Sequence, residues 1–586
     1  MKNNIRKKTG YASIDRPWLQ YYRQDAEKTD VPKESIYMRL ERCNINRLDN
    51  PAIELRSGIN NYKNGLTITY RQYLNIIREC ARGLYVLGVK KNEIMPIILP
   101  NIPESRIFIY ALNYIGATAY PVSPMVSTEI LKGIIDENKA KDIIVFSGFW
   151  DKFKDTFSSS SLNNVIYISG EEYLNIETVD KESYVIAPQL NDQINVLSWK
   201  KLMSLTDSYS EKLVPVYENG HIAVIIGTSG TTGTSKGVCM SDYCLNSLAL
   251  EQEIADIFRP GEVFMDALIS SIGYGISMEH SSGCCGAYSI LIPELITDDF
   301  PKLLYLIKPD IFAGGPIHYI NLVRSKEYKS RELPEVRNLI SGGSSLNIEL
   351  ERMLNKKDYG YKEKEDDYIV VRQGYGATEC CGSATYEVKG AYKFGGIGIP
   401  LPLENMGIFK PGTDIELPYG EEGEICIIGP TIMSGYLNNK EETENVLKLH
   451  SDGNVWLHLA DLGYCDEDGQ FYITDRIKNI FMRMGFNVHP SKIAEFINRQ
   501  NGVEECCVIG IKHPTEENVP VAFVVKEKSI KMSNDTLKEK LIETCKNNLN
   551  ELDIPYEWHF VESIPRNMGG KMDINKLIKE YEIKYV

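Results

Sequence analysis

The sequence predicts an α/β protein: a large N-terminal domain of layered α/β subdomains plus a small β-subdomain, followed by a small α+β C-terminal domain. Three observations predict it. The chain has 586 residues, more than one ordinary core organises. Short apolar runs alternate with amphipathic helical stretches, the pattern of α/β layers. Near residue 479 a strand-rich, turn-rich stretch gives way to a unit with its own helices and strands. The expected division is an N-terminal arm over 1–33, a large domain over 34–477 and a small domain over 478–586.

The elements follow in order. The arm offers Tyr11, Trp18, Tyr21 and Tyr22 for packing. Leu74, Ile77, Ala81, Leu84 and Leu87 fall at helical spacing, with Thr69 as N-cap and Gly88 as C-cap. "IMPIILP" reads as a strand, "ESRIFIYALNYIG" as a helix closed by Gly116, and "ATAYPVS", "DIIVFS" and "NVIYIS" as further strands. "GEICIIG" and "FYITD" mark a small β-rich region near 400–475. Beyond it come a helix at 490–499, the strands "CCVIGI" and "VAFVVK", and a helix at 536–549.

Composition excludes several classes. A formal charge of −15 argues against broad nucleic-acid binding. No apolar run reaches the length of a membrane span. The basic start lacks a following apolar stretch, so no secretory signal and a cytoplasmic location are expected. The 13 cysteines are an odd number without a CxxC pair, as expected of reduced thiols rather than a disulfide frame or zinc site.

"GTSGTTGTSKGV" occupies 227–238, directly after the apolar run 222–226. A flexible linker or an ordinary Ser/Thr turn would have this composition. Neither accounts for its place against a buried strand. A phosphate cradle does: glycines let backbone N–H groups approach an anion, hydroxyls add donors, and Lys236 adds positive charge. The G-x-x-x-x-G-K-[ST] spacing of P-loop NTPases is not met.

Four more segments stand in a telling order. "RQGYGATECCG" groups Tyr375, Gly376, Thr378 and Glu379. "WLHLADLGYCDEDGQFYITDRIKNIF" carries Asp461, Arg476 and Lys478. "FMRMGFNVHP" holds Gly485, and "SIPRNMGGKMDINKL" presents Gly570 and Lys571. With "LPNIPE", "SGGSSL", "GGIGIPLP" and "GEICIIGPTIMSGYLNN", they resemble the adenylate-forming superfamily: acyl-CoA synthetases, luciferases and the adenylation domains of peptide synthetases. The resemblance spans roughly 35–580.

The resemblance implies a reaction and its residues. A carboxylate attacks the α-phosphorus of ATP, pyrophosphate leaves, and a thiol then takes the acyl group. Thr228, Ser229, Gly230, Thr231, Thr232 and Gly233 would wrap the β- and γ-phosphates, with Lys236 in the same loop. Glu379 would hold Mg²⁺, with Thr378 beside it on the phosphate. Tyr375 would stack on adenine, with Gly343 and Gly376 also at the nucleotide. Asp461 would accept from the ribose hydroxyls, supported by Arg476. Lys571 would reach the α-phosphate and the attacking carboxylate, worth roughly 10²–10³ in rate. The small domain is then mobile: it would rotate about a hinge at Lys478, removing Lys571 and bringing Gly485 to the thiol channel.

Departures from the family pattern are Ser235 for a proline, Leu459–Ala460 for Thr-Gly, Asp475 for a glycine, and "SKIAEF" where Glu-Ile-Glu is usual. The acid pocket would be built around Ile272, Gly273, Gly275, Gly314 and Gly376. Ile272 stands where many relatives have His or an amino-acid-selecting Asp, although Asp266 lies near. Glycine at 376 would leave room that acetyl-selective relatives fill with Trp. A medium- or long-chain fatty acid is expected, an aryl acid second. Coenzyme A is the expected acceptor and carrier-protein phosphopantetheine the alternative, since no attached carrier domain follows Lys571. A non-catalytic nucleotide-sensing protein of the same fold would have lost Glu379, Asp461, Arg476 or Lys571, and all are present.

Overall fold

The computed structural model describes residues 8–56, 66–169, 187–191, 193–209, 211–229, 235–293, 298–330, 335–355, 371–566 and 572–584. Two large sheets organise the N-terminal domain. The eight-stranded sheet runs in the order Gly435–Tyr436, Ser235–Ser241, Ile222–Ser229, Thr118–Pro121, Ile94–Ile98, Asp142–Phe146, Asn164–Ile168, Asn195–Ser198. It is parallel from Ile222–Ser229 onward, and its first two strands are antiparallel additions. The seven-stranded sheet runs Val371–Gln373, Asn338–Ser341, Ile311–Gly314, Val263–Asp266, Tyr288–Leu291, Pro51–Leu55, Leu66–Thr69, parallel except for the last strand.

The helices form where their sequences dictate. Tyr70–Leu87 opens on a full capping box, in which Thr69 accepts from Gln72 N and Gln72 Oε1 accepts from Thr69 N. It closes on Gly88, whose φ of 104° belongs to the left-handed region. Pro103–Tyr114 begins with Pro at N1, and every one of its residues is buried. It touches strands of both large sheets. Burying Ile107, Phe108 and Leu112 completely contributes about 1.5–3 kcal/mol each.

A five-stranded antiparallel sheet follows, built from Asn405–Phe409, Gly423–Ile428, Leu447–Leu449, Val455–Cys465 and Phe471–Arg476. The arm docks on it. Trp18 is fully buried, edge-on to Phe471 at 6.2 Å. Ser13 donates through N and Oγ to Glu416, and Tyr22 OH donates to Pro400 O at 2.9 Å.

The C-terminal unit has its own five-stranded sheet, its own helices and its own core around Val488, Ile493, Val508 and Leu541. The helix Pro490–Asn498 packs against Phe471–Arg476 of the large domain. All 13 cysteines are free and only Cys43 is not buried.

Candidate functional site

The strands Ile222–Ser229 and Ser235–Ser241 pair antiparallel, and so bring together the two ends of the Gly/Thr/Ser stretch. Thr228 lies opposite Lys236 and Ser229 opposite Ser235. Thr228 Oγ1 donates to Lys236 O at 3.3 Å. Gly230, Thr231, Thr232 and Gly233 lie outside the described residues, as do Gly570 and Lys571.

Lys236 pairs with Glu442, and its Nζ lies 5.1 Å from the centroid of the Tyr436 ring. Tyr436 OH donates to Glu379 Oε1 at 2.7 Å. Burial, and then the Glu379 charge, push the Tyr436 phenol well above its ordinary range, so it stays a donor. Glu379 sits on the single turn Thr378–Cys380, and its carbonyl accepts from Met433 N at 2.9 Å. The carboxylate is thereby oriented through Oε1. Its Oε2 is the hard oxygen that fits a divalent cation beside a phosphate. Tyr436 and Glu442 had no role in the sequence reading, although "SGYLNN" was part of the resemblance.

A second cluster lies nearby. Tyr375 OH donates to Asp461 Oδ2 at 2.7 Å, and Arg476 Nε donates to Asp461 Oδ1 at 2.7 Å. Asp461 and Arg476 face each other in register on Val455–Cys465 and Phe471–Arg476. The Asp461 side chain is 4% exposed and that of Arg476 54%. The Asp461 charge strengthens the hold of the guanidinium on its proton, burial opposes this, and Tyr375 and Glu379 add to it. Burial foremost, then Asp461, raise the Tyr375 phenol well above its usual range. The ring to which the resemblance gives the adenine face therefore also fixes the Asp461 carboxylate through its hydroxyl.

The strand before Asp461 is held from behind. Glu424 Oε1 accepts from Ala460 N at 3.1 Å, and Oε2 pairs with His458 Nδ1 at 3.0 Å. His458 Nε2 meets His450 Nε2 at 2.8 Å. Glu424, Cys426 and His458 bring donor atoms within metal-binding range of one another. Both carboxylate oxygens and both ring nitrogens already have protein partners, so the group's evident work is to anchor Ala460. That residue has φ 59°, left-handed, at the position where the family pattern carries glycine.

The glycines assigned to the acid pocket are closely packed. A Cβ on Gly376 would fall 2.5 Å from the Gly382 carbonyl. On Gly275 it would fall 2.0 Å from Ile269 O, on Gly273 2.9 Å from Thr378 Cα, and on Gly314 2.7 Å from the Phe312 ring. At each of them a side chain would collide with its neighbours, so close packing requires glycine there. Gly376 and Gly343 do line a cavity, with Tyr274, Met278 and Ser383, of about 20 Å³. That is room for about one water. Ile272 precedes the helix Gly273–Cys285 as its N-cap residue and is half-buried.

Asp266 is committed elsewhere, paired with the buried Arg106. His280 bonds Tyr110 OH at 3.0 Å and Asn246 Oδ1 at 2.9 Å, and His318 bonds its own turn at Gly315. Both histidines are structural. Lys478 is exposed two residues past the end of Phe471–Arg476. Gly485, φ 81°, forms the tip of the hairpin Phe481–Arg483/Phe486–Val488, with Met482, Met484 and Phe486 exposed around it.

A fold of two parallel-rich sheets, a small antiparallel sheet and a small C-terminal unit, with a Tyr375–Asp461–Arg476 cluster near Glu379, is the setting in which the family match is read. Residues 42–437 match the family model described as AMP-binding enzyme, and 492–571 match the AMP-binding enzyme C-terminal domain. The chain belongs to the AMP-binding enzyme family, the adenylate-forming acid–thiol ligases. It is 26% identical to a long-chain-fatty-acid–CoA ligase of Bacillus subtilis (strain 168), over 96% of this chain and 98% of that one. It is 27% identical to a probable 4-coumarate–CoA ligase 1 of Dictyostelium discoideum, over 88% and 91%. In fold it resembles ATP-bound MatB from Rhodopseudomonas palustris, with TM-score 0.77, 22% identity and coverage of 94% of this chain and 100% of that one. The anthranilate CoA ligase AuaEII bound to anthranoyl-AMP gives TM-score 0.78 at 18% identity, over 96% and 99%.

Proposed function

We propose that the protein activates a medium- or long-chain fatty acid, or an aryl acid, as its acyl-adenylate and passes the acyl group to coenzyme A, releasing AMP and pyrophosphate. The observation that carries this reading is the Tyr375–Asp461–Arg476 cluster set beside Glu379. Asp461 has buried oxygens aimed by two donors, suited to accept from the vicinal hydroxyls of a ribose. Glu379 would hold Mg²⁺, which when bound offsets phosphate charge. Residues 228–233 would supply backbone and hydroxyl donors to the outer phosphates. Lys571 would neutralise the approach of carboxylate to α-phosphate, two anions that repel each other.

The choice of acid rests on what the site lacks and on its relatives. Asp266 is taken by Arg106, so it is not available to hold an α-ammonium. The relatives carry names for a fatty acid and for a hydroxycinnamic acid. The cavity beside Gly376 holds about one water, so an acid seated there would need side chains such as Tyr274 or Met278 to move aside.

A second acceptor has one observation in its favour. The exposed Met482, Met484 and Phe486 around Gly485 give the small domain an apolar hairpin tip, suited to a carrier protein that brings its own phosphopantetheine. A pyrophosphate-release screen over carboxylic acids tests both readings, run with no thiol, with coenzyme A and with a loaded carrier. Fatty or aryl acids should release pyrophosphate, and coenzyme A should yield the thioester. Release only with amino acids would overturn the acid assignment, and thioester formed only on the carrier would select the second acceptor.

A further inference from the structure

The charge of Lys236 is spent inside the protein. Its ammonium pairs with Glu442 and sits over the Tyr436 ring, and its side chain is 18% exposed. The partner is rigidly held. Glu442 lies in the first turn of the helix Lys440–Val446, where its N–H donates to the Asn439 cap at 3.1 Å. Thr443 Oγ1 donates to Asn439 O at 2.7 Å and accepts from Tyr436 N at 2.9 Å. Glu442 and Tyr436 are therefore parts of one knot.

The same knot grips the phosphate hairpin through its backbone. Tyr436 pairs with Val238, and Leu437 N donates to Gly237 O at 2.7 Å. Backbone pairing on that side ends at Gly237. The Lys236 side chain carries the tie one residue further. On the other side of the knot, Tyr436 OH orients Glu379.

We propose that Glu442 is a positioning residue for MgATP: it clamps Lys236 on the Tyr436 ring and so fixes the strand Ser235–Ser241 relative to Glu379. Lys236 then acts as an anchor of the strand Ser235–Ser241 and not as a phosphate ligand. The inference rests on the ligase reading for its ligand. A lysine side chain without a fixed partner samples many rotamers, so losing Glu442 frees the loop base.

The test uses the full chain and two readouts: MgATP binding by calorimetry without acid, and acid-dependent pyrophosphate exchange. Glu442→Ala and Lys236→Ala should each weaken MgATP binding by about fivefold to tenfold, and Glu442→Ala should keep kcat for exchange within about twofold of wild type. The double variant should bind no worse than Lys236→Ala alone, because both substitutions break one tie. Glu442→Asp should recover part of the loss. Unfolding midpoints show whether each variant folds; if Glu442→Ala does not, Glu442→Gln takes its place. Wild-type MgATP affinity in Glu442→Gln would overturn the proposal. So would losses that multiply in the double variant, since Lys236 would then act on phosphate independently. A wild-type chain that binds MgATP but shows no exchange with any acid would refute the ligase reading instead, leaving the clamp to be judged by binding.

Discussion

Asp475 accepts two hydrogen bonds from Ser491, from Oγ at 2.8 Å and from the backbone N at 3.2 Å. One residue ends the large domain and the other opens the first helix of the small one. Asp475 stands where the family pattern carries glycine, and Ser491 opens the stretch "SKIAEF", which lacks the usual Glu-Ile-Glu. The carboxylate caps the N-terminus of Pro490–Asn498, whose own N-cap residue His489 makes no side-chain cap bond. The contact spans the Arg476–Lys478 connection about which the small domain is proposed to turn.

Asp475→Ala should loosen the docked small domain. Limited proteolysis of the 477–480 connection should accelerate by about fivefold, since a lost cap weakens docking by about 1 kcal/mol. Unchanged cleavage would mean that Lys492–Glu422 and Arg324–Glu504 hold the lobe without it.

Tyr375→Phe keeps the ring and removes the donor to Asp461. Hydrogen bonds to charged groups contribute about 1.5–3 kcal/mol, so MgATP binding should weaken by roughly tenfold. Calorimetry with MgATP and with a 2′,3′-dideoxy analogue checks this. The variant should discriminate less between the two, because the aspartate loses its aim at the ribose.

Gly376→Trp should not tune the chain length of the acid. Its Cβ would meet the Gly382 carbonyl at 2.5 Å and Ser383 Cα at 2.6 Å, both backbone. The variant should lose solubility or unfold at markedly lower temperature. A well-folded variant selective for short acids would show that the segment 376–383 can move aside.

Glu279 is buried with Arg106 and Asp266, and burial foremost pushes its carboxyl up to about 7. The folded protein thus binds a proton that the unfolded chain releases near pH 4.5. Between those values the native state binds more protons, so stability falls as pH rises, by up to about 1.4 kcal/mol per unit, and the loss is complete above pH 7. Glu279→Gln should flatten that part of the stability profile and gain most at pH 8. Denaturation at pH 5, 6.5 and 8 measures it, and an unchanged slope would show Glu279 ionised in the fold.

Lys571→Ala should lower the adenylation rate by roughly 10²–10³ while MgATP binding changes little. Single-turnover formation of acyl-AMP measures it. Near-normal adenylation would remove Lys571 from the first half-reaction.

Much of the fold was legible because its signals are local. Thr69, Gln72 and Gly88 cap one helix from within twenty residues, and the structure places the caps where the sequence did. The Gly/Thr/Ser stretch declared a loop, and its motif partners declared the family. Less legible was which side of each glycine is filled. Gly273 touches Thr378, and Gly376 packs on Gly382, contacts that no periodicity encodes. Glu442 was invisible because a carboxylate in a polar run reads as a solvated helix face until its partner, 206 residues away, is brought alongside.

By itself the sequence determined the layered α/β class with its small C-terminal domain, and the types of residue gathered in each motif. Spacing and composition suffice for these, since caps, strand periods and turn residues act over one or two turns of chain. Only the tertiary structure decided how those groups are aimed: Tyr375 at Asp461, Tyr436 at Glu379, Lys236 at Glu442. Direction is a property of side chains from separate strands meeting in three dimensions, and the energy that fixes it comes from burial and hydrogen bonds between residues far apart in sequence.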